Sequence, residues 1–145
     1  YKYKLTNKIS SLINKNFGLN NITYLCQEKY INDNITNYLD LITSRPCCPD
    51  ILVYCGYKIC ILKSFDDIQS IVYHKKNYNE LPKLFFLNHS IYISAISLKK
   101  AREIEEVFKL HVFTLVNSDN NFNSLSIEEL NYLGNWEAEK FRQNL

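Results

Sequence analysis

The segment from Ser97 to Val116 limits the folds open to this chain more than any other part of the sequence. Serine is a strong N-cap residue, and the apolar residues that follow recur every three or four positions, as on one face of a helix. That face contains Ala101, Ile104, Val107, Phe108, His111 and Leu115. Lysine and glutamate residues occupy the opposite face. The pattern predicts a helix over residues 98–116 that needs a partner element along its apolar side.

Two pairs of short apolar runs predict the strands of a sheet. Residues 51–55 and 58–62 are joined only by Gly56-Tyr57, and so short a connection favours an antiparallel hairpin. Residues 84–87 form a continuous apolar run that predicts a buried strand, and residues 91–93 continue it or return beside it.

Helices are predicted before, between and after these strands along the chain. A final helix begins at Ser126, where Ser126 and Glu129 have the spacing of a capping box. The other predicted helices cover residues 5–17, 29–44 and 64–76. We therefore predict one α/β domain over residues 1–145, with an antiparallel-type central sheet flanked by helices in three α/β/α layers.

Composition narrows the class of protein. The chain has 145 residues, of which 46% are hydrophobic, enough for one domain with a packed core. Seventeen lysines and arginines against 15 acidic residues give a net charge of +2, which argues against nucleic acid or an anionic membrane as a partner. Five cysteines without a C-x-x-C pair argue against a disulfide framework or a zinc site and favour a reducing cytoplasm. Cys55 and Cys60 lie in apolar strand-like runs, which predicts free thiols that behave as small hydrophobic residues.

The three histidines are the main candidates for chemistry. His74 lies beside lysines in a short helix, which predicts a solvated side chain, whereas His111 lies on an apolar helix face and predicts a core or interface residue. His89 follows Asn88 at the end of a buried strand, where a polar pair is costly unless it is hydrogen-bonded or ligated. From the residues alone, a structural turn is favoured over a functional site, and a nucleophilic pair of a cysteine with His89 stays open.

The run Leu84-Phe85-Phe86-Leu87-Asn88-His89-Ser90-Ile91-Tyr92-Ile93 resembles a segment of the class II (zinc-type) aldolase/adducin-like family. In that family a hydrophobic strand leads into Asn-His-Gly, a second apolar stretch and a helix, here from Ser97. The Pro49–Gly56 run and the late Leu-Ser-x-Glu-Glu segment 125–129 are similar to further parts of the family pattern. The resemblance covers about residues 49–142, the C-terminal half of such a domain.

The resemblance implies a metal site and a reaction. In the family this histidine, here His89, is one of three that hold a catalytic divalent metal, usually Zn²⁺. The metal polarises a carbonyl so that an enediolate forms, and the enzyme cleaves a sugar phosphate. The family often forms oligomers of identical chains, so the resemblance also implies a homo-oligomer.

Several departures from the family pattern leave two functions open. No His-x-His pair precedes His89, no general acid/base carboxylate is evident, and Ser90 replaces the usual glycine. The catalytic residues therefore stay unassigned. We expect either that the missing ligands lie before Tyr1, in a longer protein, or that the domain is a non-catalytic interaction or assembly module. In the second case Trp136, Phe141 and the face around His111 would serve packing or assembly rather than substrate binding.

Overall fold

The structure is a computed structural model that describes residues 2–119 and 123–135. Within these residues the chain forms seven helices and four strands. In chain order they are α1 (Lys2–Phe17), β1 (Ile22–Leu25), α2 (Lys29–Asn34), α3 (Leu39–Ile42), α4 (Pro49–Cys55), β2 (Cys60–Ile61), α5 (Ile68–Tyr78), β3 (Leu84–Leu87), β4 (Ser90–Ala95), α6 (Leu98–Val116) and α7 (Ile127–Gly134).

The four strands form one mixed sheet in the order β1-β4-β3-β2. Strand β4 runs antiparallel to both of its neighbours, with Thr23 opposite Ser94 and Phe85 opposite Tyr92. Strand β2 runs parallel to β3, with Cys60 opposite Phe85. The predicted α/β class is confirmed, and the sheet is corrected from antiparallel to mixed.

The β3–β4 hairpin is the centre of the core. The predicted strand at residues 84–87 is confirmed, and residues 90–95 return beside it as β4. All six residues of β4 are buried, because apolar clusters cover both faces of the strand. Ile91 and Ile93 join a cluster with α6, while Tyr92 joins a cluster with α1 and α5. This alternation is what strand geometry requires when helices pack on both faces of a sheet.

The predicted hairpin over residues 51–62 is wrong, because residues 49–55 form helix α4. Pro49 suits the first turn of a helix, since its φ is fixed near the helical value and its missing N–H needs no partner there. The helix buries Ile51, Leu52, Val53 and Cys55. A short segment that is buried on several sides has no polar face, so its hydrophobic pattern did not separate helix from strand.

The other predicted helices are confirmed with changes of boundary. Helix α6 begins and ends where predicted, and Ser97 Oγ accepts a hydrogen bond from Lys100 N. The predicted helix 29–44 is divided into α2 and α3. Helix α5 is capped by Asp67 rather than Ser64, because the Asp67 carboxylate accepts from Ser70 N.

Helix α7 begins as predicted, whereas strand β1 was not predicted. The capping box of α7 is present, with Ser126 and Glu129 each accepting from the other's backbone N–H. Trp136 and Phe141 lie outside the described residues. Strand β1 was not predicted, because its four residues lack a continuous apolar run and become partly buried only through pairing with β4.

Two charged side chains bonded to backbone groups fix the junction between α4 and β2, which we call the α4–β2 joint and define as Gly56, Tyr57, Glu80 and Lys83. Glu80 Oε1 accepts a hydrogen bond from Tyr57 N at 2.7 Å. Lys83 Nζ donates to the Val53 carbonyl in the last turn of α4 at 3.0 Å. The joint therefore sets where the chain leaves the helix and enters the sheet.

Gly56 tests the joint directly. Its φ is +80°, and a Cβ on this residue would lie 2.5 Å from Glu80 Oε1. We expect Gly56→Ala to lower the free energy of unfolding by about 3 kcal/mol, since backbone strain and displacement of Glu80 add together. Urea unfolding of the purified variants measures the change.

Gly18 offers a matched control for the backbone term. Its φ is +64°, but a Cβ there would meet no atom within 4 Å. We expect Gly18→Ala to cost only about 1 kcal/mol. Equal losses in the two variants would show that contact with Glu80 contributes nothing at Gly56.

Candidate functional site

His89, the histidine singled out by the sequence, lies in the two-residue turn of the β3–β4 hairpin. Asn88 and His89 have φ values of 49° and 62°, between the paired residues Leu87 and Ser90. Positive φ at both central positions is the geometry that matches the twist of hairpin strands. The side chain is exposed. The structural turn that the residues alone favour is therefore present.

Few groups surround the His89 ring. Its Nδ1 lies 3.5 Å from Thr36 Oγ1, and the edge of its ring faces Phe86 at a centroid distance of 6.3 Å. Within residues 2–119 and 123–135 no three His, Cys, Asp or Glu side chains are grouped so that they could hold a metal ion. One imidazole does not make a zinc site, which takes three or four protein ligands. The described residues thus do not fit the metal that the resemblance implies.

His74 is buried, so the prediction of a solvated side chain is wrong. Only 4% of the residue is exposed, and within the described part of the chain its Nε2 has no hydrogen-bond partner. Its ring meets Tyr78 edge-on at 4.8 Å. Burial, with a smaller effect from Lys58, lowers the pKa of His74 to about 4. The three- and four-residue spacing of Ile71, His74 and Tyr78 was the signal that this histidine lies on the inner face of α5.

His111 is a core histidine, as predicted. It is 3% exposed, and burial lowers its pKa to about 4. Its Nδ1 lies 3.8 Å from Cys47 Sγ, so the structure pairs a cysteine with His111. Burial raises the pKa of the Cys47 thiol. A nucleophilic cysteine needs a lowered thiol pKa, so this contact lacks the activation seen in cysteine catalysis.

The remaining cysteines behave as small apolar residues. All five cysteines are free, and Cys26, Cys55 and Cys60 are buried. Burial raises the pKa of both Cys55 and Cys60 to about 12. The prediction of thiols that behave as small hydrophobic residues is confirmed for Cys55 and Cys60, although Cys55 lies in a helix rather than a strand.

A groove lies along the free edge of the sheet, between β2 and α5, and we call it the β2–α5 groove. Its volume is about 550 Å³. Residues 58–61 and 63 line it from β2 and its flanks, and Ser70, Tyr73, His74 and Tyr78 line it from α5. Sequence reasoning missed this groove, because it expected His74 in solvent and residues 58–62 in an antiparallel hairpin.

Comparisons with known proteins add no family to this picture. No protein-family model matches the chain, and the search of curated proteins found no similar sequence. Among the described residues, no helix has both the length and the apolar character needed to cross a bilayer.

The two buried histidines predict a loss of stability in acid. Their pKa values are about 4 in the fold, against 6.5 ordinarily, so the unfolded chain binds protons first as pH falls. Their stabilising contribution is full above pH 6.5 and is lost as pH falls toward 4. Each contributes at most about 3 kcal/mol to this loss. Urea unfolding at pH 7 and pH 4.5 measures it.

Variants separate the histidines' share of the acid-induced loss of stability from that of the carboxylates, which also titrate in this range. We expect His111→Phe and His74→Phe each to reduce the acid-induced loss by about 2 kcal/mol. An unchanged dependence in both buried-site variants would contradict the burial of neutral imidazoles.

Proposed function

We propose that this chain is a class II aldolase/adducin-like domain that acts on its own as a non-catalytic interaction or assembly module. The order of strand, Asn-His turn, strand and Ser97-capped helix in the structure supports the resemblance. The free state of all five cysteines supports a reducing cytoplasm as its location.

The surroundings of His89 carry the non-catalytic part of this proposal. The neighbours of its ring are a threonine hydroxyl and a phenylalanine, and its backbone conformation already explains an Asn-His pair in a hairpin turn. A lyase that cleaves a sugar phosphate through a metal-held enediolate would need its remaining Zn²⁺ ligands from residues outside the described ones. No reaction step is therefore assigned to the described residues.

Metal content tests the proposal. We expect far less than one zinc per chain after equilibration with zinc and dialysis, and the same value for His89→Ala, because a single imidazole binds zinc weakly. Elemental analysis measures the metal, and intact mass from the same sample fixes the chain present. About one zinc per wild-type chain, lost in His89→Ala, would overturn the proposal and establish an aldolase-type site.

An exposed apolar patch favours assembly with a second copy of the chain, the partner that the resemblance implies. We define the β1-edge patch as Ile22, Ile96 and Leu98. Ile22 pairs with Ala95 across the sheet, which places Ile96 and Leu98 close by in the chain. Ile96 is 76% exposed, and the outer edge of β1 is unpaired within the described sheet. Apolar side chains beside an open sheet edge are a ready surface for association.

Sedimentation velocity tests the assembly. We expect the wild-type chain to form an oligomer and the Ile96→Glu/Leu98→Glu double variant to sediment as a monomer, since two charges would be buried without partners. Leu110→Glu, on the exposed face of α6, is the control and should leave the oligomer intact. A monomeric wild-type chain at tens of micromolar would contradict a role in self-assembly.

A further inference from the structure

We propose that the β2–α5 groove binds a small organic anion with a flat, apolar body, and that binding uncovers His74 Nε2, which hydrogen-bonds to that ligand. This site uses none of the residues on which the proposed function depends. It would therefore stand or fall independently of the metal content and of the oligomeric state.

The size and lining of the groove suit a small molecule. A volume of about 550 Å³ lies within the usual range for ligand pockets, roughly 300–1,000 Å³. Ile59, Cys60 and Ile61 supply an apolar side, and Tyr73 and Tyr78 add aromatic rings. Tyr73 is 70% and Ile61 48% exposed, so a flat apolar ligand would cover them. An apolar and aromatic surface with charged and polar side chains beside it is a lining that can bind a small ring-shaped ligand and fix its orientation.

The imidazole of His74 is the polar group that needs a ligand. The residue lines the groove and is 4% exposed, and its covered Nε2 has no hydrogen-bond partner among the described residues. Buried polar atoms in proteins are nearly always satisfied by protein groups or ordered water, so an unsatisfied one is a candidate to bind a ligand. A neutral imidazole nitrogen donates or accepts according to its tautomer, so a ligand oxygen or ring nitrogen can satisfy it.

The charges at the rim specify an anion. Lys58 and Lys63 are exposed at the two ends of the β2 side of the groove. The lining carboxylate, Asp67, already accepts hydrogen bonds from Lys63 N, from Ser70 N and from Ser70 Oγ. Its charge is thereby held at the N-terminus of α5 beside Lys63. Lys58, an exposed lining residue whose charge contributes to lowering the pKa of His74, is the cation that we expect to meet a ligand held at His74.

The form of β2 favours a small molecule over a peptide strand. An extended peptide would need a row of unpaired backbone groups on a regular edge strand. Strand β2 has only two residues, and lysines stand on either side of it at 58 and 63. Short edge strands flanked by lysine are a common way in which proteins prevent strand addition.

Histidine side-chain NMR tests the site. The probes are nicotinate, benzoate and phenyl phosphate, each a flat ring with an anionic group, added to ¹⁵N-labelled full-length chain. We expect at least one probe to shift the His74 imidazole resonances saturably at millimolar concentration and to leave those of His111 unchanged. Nicotinamide, which has the ring of nicotinate without its charge, should bind about tenfold more weakly than nicotinate, the scale of one lost ion pair.

Variants connect the binding to the named residues. Lys58→Ala should weaken the probe about tenfold, and His74→Phe should weaken it at least as much while keeping a ring in the core. Lys76→Ala, an exposed lysine of α5 outside the groove, is the matched control and should bind as wild type does. Backbone NMR spectra of each variant confirm that it is folded.

Three outcomes would overturn the inference. The first is no saturable shift of His74 with any of the three anions. The second is binding that Lys58→Ala and loss of the probe's charge leave unchanged. The third is a shift of the β2 amide resonances by an acidic peptide together with no effect of the small anions, which would assign the groove to strand addition.

Discussion

The pairing of β4 with a strand on each of its sides is the interaction on which the rest of this fold depends. Because β4 is central and fully buried, its alternate side chains nucleate the two apolar clusters to which α6 and α1 contribute. A shift of one residue in this pairing would exchange the two faces and place Tyr92 in the cluster that Ile91 now occupies. The Asn88-His89 turn has the length and dihedral angles that prevent such a shift. The residue that most resembles a catalytic histidine is thus also part of the device that sets the register of the sheet.

The β2–α5 groove, at the β2 edge of the sheet, depends on a different constraint. Residues 58–63 reach that edge only because the α4–β2 joint turns the chain out of the helix, with Glu80 and Lys83 bonded to backbone on either side of Gly56. Helix α5 then returns across the same edge and brings His74 against it. The two candidate sites therefore differ in how far the sequence reveals them. His89 belongs to a motif, whereas His74 belongs to a surface that only the tertiary fold creates.

The parts of the fold that were predictable share a local cause. Helices α6 and α7 begin at serine caps whose hydrogen bonds are made within three residues, and β3 is an apolar run bounded by a turn. The parts that were mispredicted depend on partners far along the chain. Helix α4 is buried on several sides, so its pattern fits strand and helix equally, and β1 gains its burial from β4. His74 was misplaced because its two lysine neighbours suggested solvent, although the spacing from Ile71 indicated the inner face of α5.

The distribution of buried thiols gives each side of the sheet its own chemical reporter. Cys26 and Cys55 belong to the cluster on the α6 side, whereas Cys60 belongs to the cluster on the α1 side. A thiol reagent reaches such groups only when the surrounding structure opens, so the rate of alkylation follows local unfolding rather than intrinsic reactivity. Since the three sites differ in sequence position, peptide mapping after labelling would resolve them. The chain therefore has, in its native cysteines, the means to show whether its two half-cores open together or one before the other.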